Sequence, residues 1–116
     1  MVDPETPLQV LVQEARRLSG LIDKGVIALH EAAQSVAHAE HAYRQAKAKA
    51  WLEAEGDLAR EREAAVDALT ADLRLARDLS EGARQAAIEA LRSRRQQLSA
   101  LQSILHATRS EMEMAR

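Results

Sequence analysis

The chain has no cysteine and no phenylalanine, and Tyr43 and Trp51 are the only aromatic rings in its 116 residues. Without cysteine there can be no disulfide framework, thiolate zinc site or cysteine nucleophile. Four glycines and two prolines are too few turn residues for a sandwich or a barrel. Two rings cannot fill a thick globular core, because aromatic side chains carry the largest buried area per residue. No run approaches the roughly 20 apolar residues of a membrane span, and no basic start leads into an apolar signal segment. The expectation is a cytoplasmic protein without a membrane partner. A net charge of -2 argues against a uniformly basic nucleic-acid binder but leaves room for a local basic patch.

What is present is alanine, leucine and charge. Apolar residues make up 47% and charged ones 29% of the chain, a composition suited to long helices packed along seams. The fold expected is all-α: one helical domain over 1–116, built as an antiparallel helical hairpin with a short N-terminal helix and a long C-terminal coiled-coil-like helix. Thr6-Pro7-Leu8-Gln9 opens the first helix, with Thr6 and Gln9 able to form a capping box around a first-turn proline. Leu8, Leu11, Val12, Ala15 and Leu18 repeat at helical spacing, and Gly20 reads as a stop, giving a helix over about 7–19. After a link in which Asp23 can cap, a second helix spans about 26–55 with Val26, Leu29, Ala33, Val36, Tyr43, Ala46 and Ala50 on its seam. Glu55-Gly56-Asp57 is the hairpin turn, with Gly56 in a left-handed conformation and Asp57 as the next cap.

The long helix covers about 58–112. Val66, Leu69, Leu73, Ala76 and Ala83 define one frame in it, and Leu91, Leu98, Leu105 and Met112 another, strictly seven apart. The frames disagree, so the register slips between Ala83 and Leu91, either as a stutter or as a break near 80–83. With so short a first helix, the C-terminal heptads lack a partner along their full length. Leu91, Leu98, Leu101, Leu105 and Met112 are therefore expected to be buried between subunits of a homo-oligomer.

Chemistry is sparse. His38 and His41 are three apart on a helix, but no third or fourth ligand accompanies them, so no metal or other cofactor is expected. No nucleophile elbow or phosphate-cradling glycine loop occurs, and the chain reads as a non-enzyme. The densest feature is Tyr43-Arg44-Gln45-Ala46-Lys47-Ala48-Lys49-Ala50-Trp51, which holds both rings and two of the three lysines. Cations beside flat rings suit single-stranded nucleic acid, through phosphate attraction and base stacking. The same residues also fit a seam tyrosine, a packing tryptophan near the turn and solvated lysines. A second basic cluster, Arg84, Arg92, Arg94, Arg95 and Arg109 against Glu89, has a local balance of +4.

The run Ala42-Tyr43-Arg44 through Lys47-Ala48-Lys49-Ala50, followed by Gly56 and Arg60-Glu61-Arg62-Glu63, resembles small helical proteins of tailed phages, particularly those of actinobacterial hosts. So does Ala90-Leu91-Arg92-Ser93-Arg94-Arg95 with Leu98, Leu101-Gln102-Ser103 and Arg109-Ser110-Glu111. The order of a basic helix followed by an apolar and basic C-terminal helix is similar to UvsY-type recombination mediators. The resemblance implies an oligomeric protein that binds single-stranded DNA and helps load a recombinase. Tyr43, Arg44, Lys47, Lys49, Trp51, Arg92, Arg94 and Arg95 would then be the candidate contacts. This chain departs from that pattern in having more alanine and fewer lysines and aromatics. The other expectation is a structural or adaptor coiled coil that acts only through protein–protein contacts.

Overall fold

The computed structural model describes residues 6–115. Two helices account for nearly all of them: α1, Pro7–Glu53, and α2, Ala59–Met114. The chain is an all-α antiparallel helical hairpin. It divides into two compact units, one combining α1 up to Ala28 with α2 from Ile88 onward, the other running from Leu29 to Ala87. No described helix is long and apolar enough to cross a membrane.

The helix ends follow from local chemistry. The Thr6 N–H donates to Gln9 Oε1 at 3.0 Å and the Gln9 N–H donates to Thr6 Oγ1 at 3.2 Å, closing the capping box. At the turn, Gly56 has φ of 142°, a conformation that side-chain-bearing residues rarely adopt. A Cβ placed there would lie 2.9 Å from the Glu61 Cβ. The cap of α2 differs from the expected one. The Asp57 backbone N–H donates to Glu61 Oε2 at 3.2 Å, and the Leu58 carbonyl accepts from the Glu61 and Arg62 N–H groups. Glu61 thus reaches back over the helix start, where a carboxylate also complements the dipole.

Three expectations are corrected. First, the helices placed at about 7–19 and 26–55 are a single helix. Gly20 is exposed and Gly25 half-buried within it, and Asp23 caps nothing. The residues Leu11, Ala15, Leu18, Ile22, Gly25, Leu29, Ala32, Val36, Ala39, Tyr43, Ala46 and Ala50 are all buried or half-buried, and they alternate strictly in steps of four and three. One uninterrupted packing stripe outweighs a glycine cost of about 1 kcal/mol per site. Gly25 is itself a stripe residue: the Leu91 Cδ1 lies 3.2 Å from where its Cβ would be. The expected seam residues Val26 and Ala33 are exposed.

Second, α2 has no register slip. Its frame runs Val66, Thr70, Leu73, Arg77, Ser80, Arg84, Ala87, Leu91, Arg94, Leu98, Leu101, Leu105, Thr108 and Met112, again in steps of four and three. The helix is continuous through 80–83. All eight buried residues of the described chain, Leu18, Tyr43, Ala50, Val66, Thr70, Leu91, Leu101 and Leu105, fall on these two frames. The apparent second frame arose because polar residues occupy seam positions while Leu69, Ala76 and Ala83 stand exposed beside them. Buried Thr70 is satisfied by donating its hydroxyl to the Val66 carbonyl at 2.8 Å.

Third, Leu91, Leu101 and Leu105 are buried within the single chain and Leu98 is half-buried. In that unit Leu18 lines a groove with Leu101 and Ile104. The long α1 supplies the partner that a short first helix could not. Only Met112, 49% exposed, keeps much of its surface free.

Replacing the two glycines by alanine should have opposite effects on stability in chemical denaturation. Gly20→Ala, at an open helical site, should stabilise by about 0.5–1 kcal/mol. Gly56→Ala should destabilise by about 1–3 kcal/mol through backbone strain. Destabilisation by Gly20→Ala would contradict a continuous α1.

Candidate nucleic-acid interface

The ring-and-lysine segment lies in the last turns of α1. Tyr43 is a seam residue, 7% exposed. Arg77, at a seam position of α2, places its guanidinium 4.4 Å from the Tyr43 ring centroid, and the Lys47 Nζ lies 5.8 Å from the same ring. Arg77 is itself held by Asp78, whose Oδ1 accepts from Nε at 3.1 Å and Nη2 at 3.0 Å. It also faces Glu40 across the hairpin at 3.7 Å. These partners raise the Arg77 pKa, chiefly through the bonds to Asp78. The long Arg stem packs along the seam while its head reaches carboxylates at the edge.

The remaining cations are similarly engaged. Arg44 donates to Glu40 Oε1 at 2.8 Å, so Glu40 serves two arginines. Lys49 faces Glu53 at 3.9 Å. Trp51 is half-buried, with the Arg62 guanidinium 5.7 Å from its ring centroid. Arg62 Nη2 also donates to the Trp51 carbonyl at 3.2 Å, which ties the end of α1 to the start of α2. A groove beside Trp51 is lined by Lys47, Glu63, Val66 and Asp67. Its two carboxylates oppose an incoming phosphate.

The second cluster, apart from Arg84, belongs to the other unit. Arg92 donates to Glu89 at 2.8 Å. Arg94, a half-buried seam residue, lies 3.5 Å from the Leu21 carbonyl. Arg95 is exposed and has no charged partner among the described residues. Of the eight candidate contacts, Arg44, Lys47, Lys49, Arg92 and Arg95 are exposed, while Tyr43, Trp51 and Arg94 are wholly or partly buried. His38 and His41 are exposed, and no group of three histidines or carboxylates among the described residues could hold a metal ion.

Arg77, Glu40 and Arg62 do not stand out in the sequence. Counting by sevens from Leu91 toward the N-terminus, through Arg84 to Arg77 and Thr70, is the one signal that finds Arg77. A seam arginine looks like a break in the apolar pattern until the facing tyrosine is known. One of these seam arginines also sets a proton affinity. Arg84 donates to Glu81 at 3.0 and 2.7 Å and Gln85 adds a third bond at 3.1 Å. Together they lower the Glu81 pKa from 4.5 to about 2, with Arg84 the larger cause.

Comparison with protein-family models, curated proteins and solved structures found no match to this chain.

Arg77→Ala should uncover the Tyr43 ring and lower the midpoint of denaturant unfolding; an unchanged midpoint would show that the ring contact contributes nothing. For Glu81, a lowered native pKa means its stabilisation is complete above about pH 4.5 and is lost as pH falls toward about 2. Carboxyl-carbon NMR should show that titration near pH 2. In Arg84→Gln it should move up toward the usual carboxylate range.

Proposed function

We propose that this chain is a non-enzymatic structural or adaptor hairpin that acts through protein–protein contacts. The observation that carries this reading is the arrangement of large apolar side chains. Among the described residues, ten lie off the seam and exposed, including Ile27 at 61%, Leu52 at 89%, Leu69 at 63%, Leu75 at 58% and Leu79 at 64%. A hairpin that leaves this much large apolar surface off its seam is suited to covering it with another polypeptide.

The mediator reading, taken from the phage resemblance, asks for rings free to stack on bases and cations free to meet phosphates. Tyr43 is covered and attended by Arg77, Trp51 is attended by Arg62, and three of the six candidate cations, Arg44, Lys49 and Arg92, have carboxylate neighbours one turn away. That distribution of partners favours the protein-contact reading. The deciding experiment is a titration of the full chain with a fluorescent single-stranded oligonucleotide at low and high salt. The expected result is no saturable binding at low salt. Tight binding that weakens steeply with salt and is lost in Lys47→Glu with Lys49→Glu, helicity unchanged, would replace this reading with the mediator one.

A further inference from the structure

The break suggested by the residues at 80–83 is absent from the backbone, yet the chemistry that suggests it is still there. Within the Leu29–Ala87 unit the buried residues are Tyr43, Ala50, Val66 and Thr70, all toward the Gly56 turn. Beyond them the seam positions are Leu29, Ala32, Val36 and Ala39 on α1 and Ser80, Arg84 and Ala87 on α2. Every one is only half-buried, and Leu29 and Val36 are the only large apolar side chains among them. The polar groups do not replace the missing apolar contact. The Ser80 hydroxyl donates to the Ala76 carbonyl at 2.8 Å, a bond back along its own helix that slightly weakens it. Arg84 and Gln85 both donate to Glu81, again within α2. Among the described residues no hydrogen bond or ion pair joins 78–87 to α1, whereas Arg77, just before, faces Glu40 across the hairpin. Gly82 lowers helix propensity at the same place, and a Cβ added there would meet nothing within 4 Å.

We infer that 29–39 and 80–87 form a local opening unit. The two stretches separate and lose their helical hydrogen bonds together, while the turn end with Tyr43, Ala50, Val66 and Thr70 stays closed. Stability is not uniform along a fold, and segments with few buried apolar contacts open at less than the global cost. Helices in proteins draw most of their stability from packing, so α2 melts first where its packing is thinnest. Thin packing, a back-bonded serine and a glycine all fall within one turn of helix there. Opening uncovers Leu29 and Val36, seam residues that the closed hairpin withholds from any partner. This device does not depend on what the chain binds.

Native-state hydrogen exchange of the full chain, read by mass spectrometry and corrected for intrinsic rates, tests the inference. Amides of 80–87 should exchange at least about tenfold faster than those of 46–50 and 98–105. Gly82→Ala should slow exchange over 80–87 by about two- to fivefold. Leu101→Ala, in the other unit, should speed exchange over 98–105 and leave 80–87 unchanged, because a local opening does not involve Leu101. Equal protection of the three segments in the wild type would overturn the inference. So would a Gly82→Ala chain with unchanged exchange over 80–87, or a Leu101→Ala chain in which all segments speed up alike. The wild-type comparison and Gly82→Ala, which adds one methyl group at an open site, decide the matter even if Leu101→Ala fails to fold.

Discussion

The two helices meet along a strip one heptad frame wide, and this narrow contact governs most of what the molecule can do. Two helices have only one shared face, so each turn of helix contributes one or two side chains to it. On α1 the strip is largely small, with Ala15, Gly25, Ala32, Ala39, Ala46 and Ala50 between the larger residues. That leaves room for long side chains from α2, visible where Leu91 approaches Gly25; Arg77 instead lies against a ring, that of Tyr43. Small on one side and long on the other is a consistent solution, and it lets arginine occupy seam positions.

Those seam arginines explain the electrostatics. An arginine facing an alanine or a ring can lay its aliphatic stem in the seam and carry its guanidinium to the edge. Arg77 there finds Asp78 and Glu40, Arg84 finds Glu81, and Arg94 finds the Leu21 carbonyl. Each pair is partly exposed and contributes modestly to stability. Their clearer effect is on availability: most of the cations and rings that would compose a nucleic-acid surface already have intramolecular partners. Apolar surface is left over instead, because a one-face seam cannot cover the leucines on the far side of α2.

The helices, their polarity, the capping box at Thr6–Gln9 and the turn at Gly56 were all legible in the residues, since each depends on chemistry within about four positions. The unbroken α1 was not. Gly20 has the same local signature inside a packed helix as at the end of a free one, and only the stripe from Leu18 through Ile22 to Leu29 distinguishes them. The α2 register was obscured for a related reason. Apolar residues were assigned to the seam by default, yet Thr70, Arg77, Ser80 and Arg84 take those places while Leu69 and Ala83 face out. Tyr43, the centre of the candidate site, could be read as a stacking ring or as a seam residue; its burial beside Arg77 makes it a seam residue.

The chain's shortage of rings, its alanine content and its heptad spacing determined by themselves that it would be a helical hairpin, because those properties act through local backbone preference and periodicity. Most of the inward face of α1 was legible too, from Leu11 to Ala50, whereas which face of α2 turns inward was decided only by the tertiary structure. That choice depends on the residue standing opposite: an arginine is acceptable in a seam only when a small residue or a ring faces it, and a leucine is free for a partner only when nothing in its own chain does.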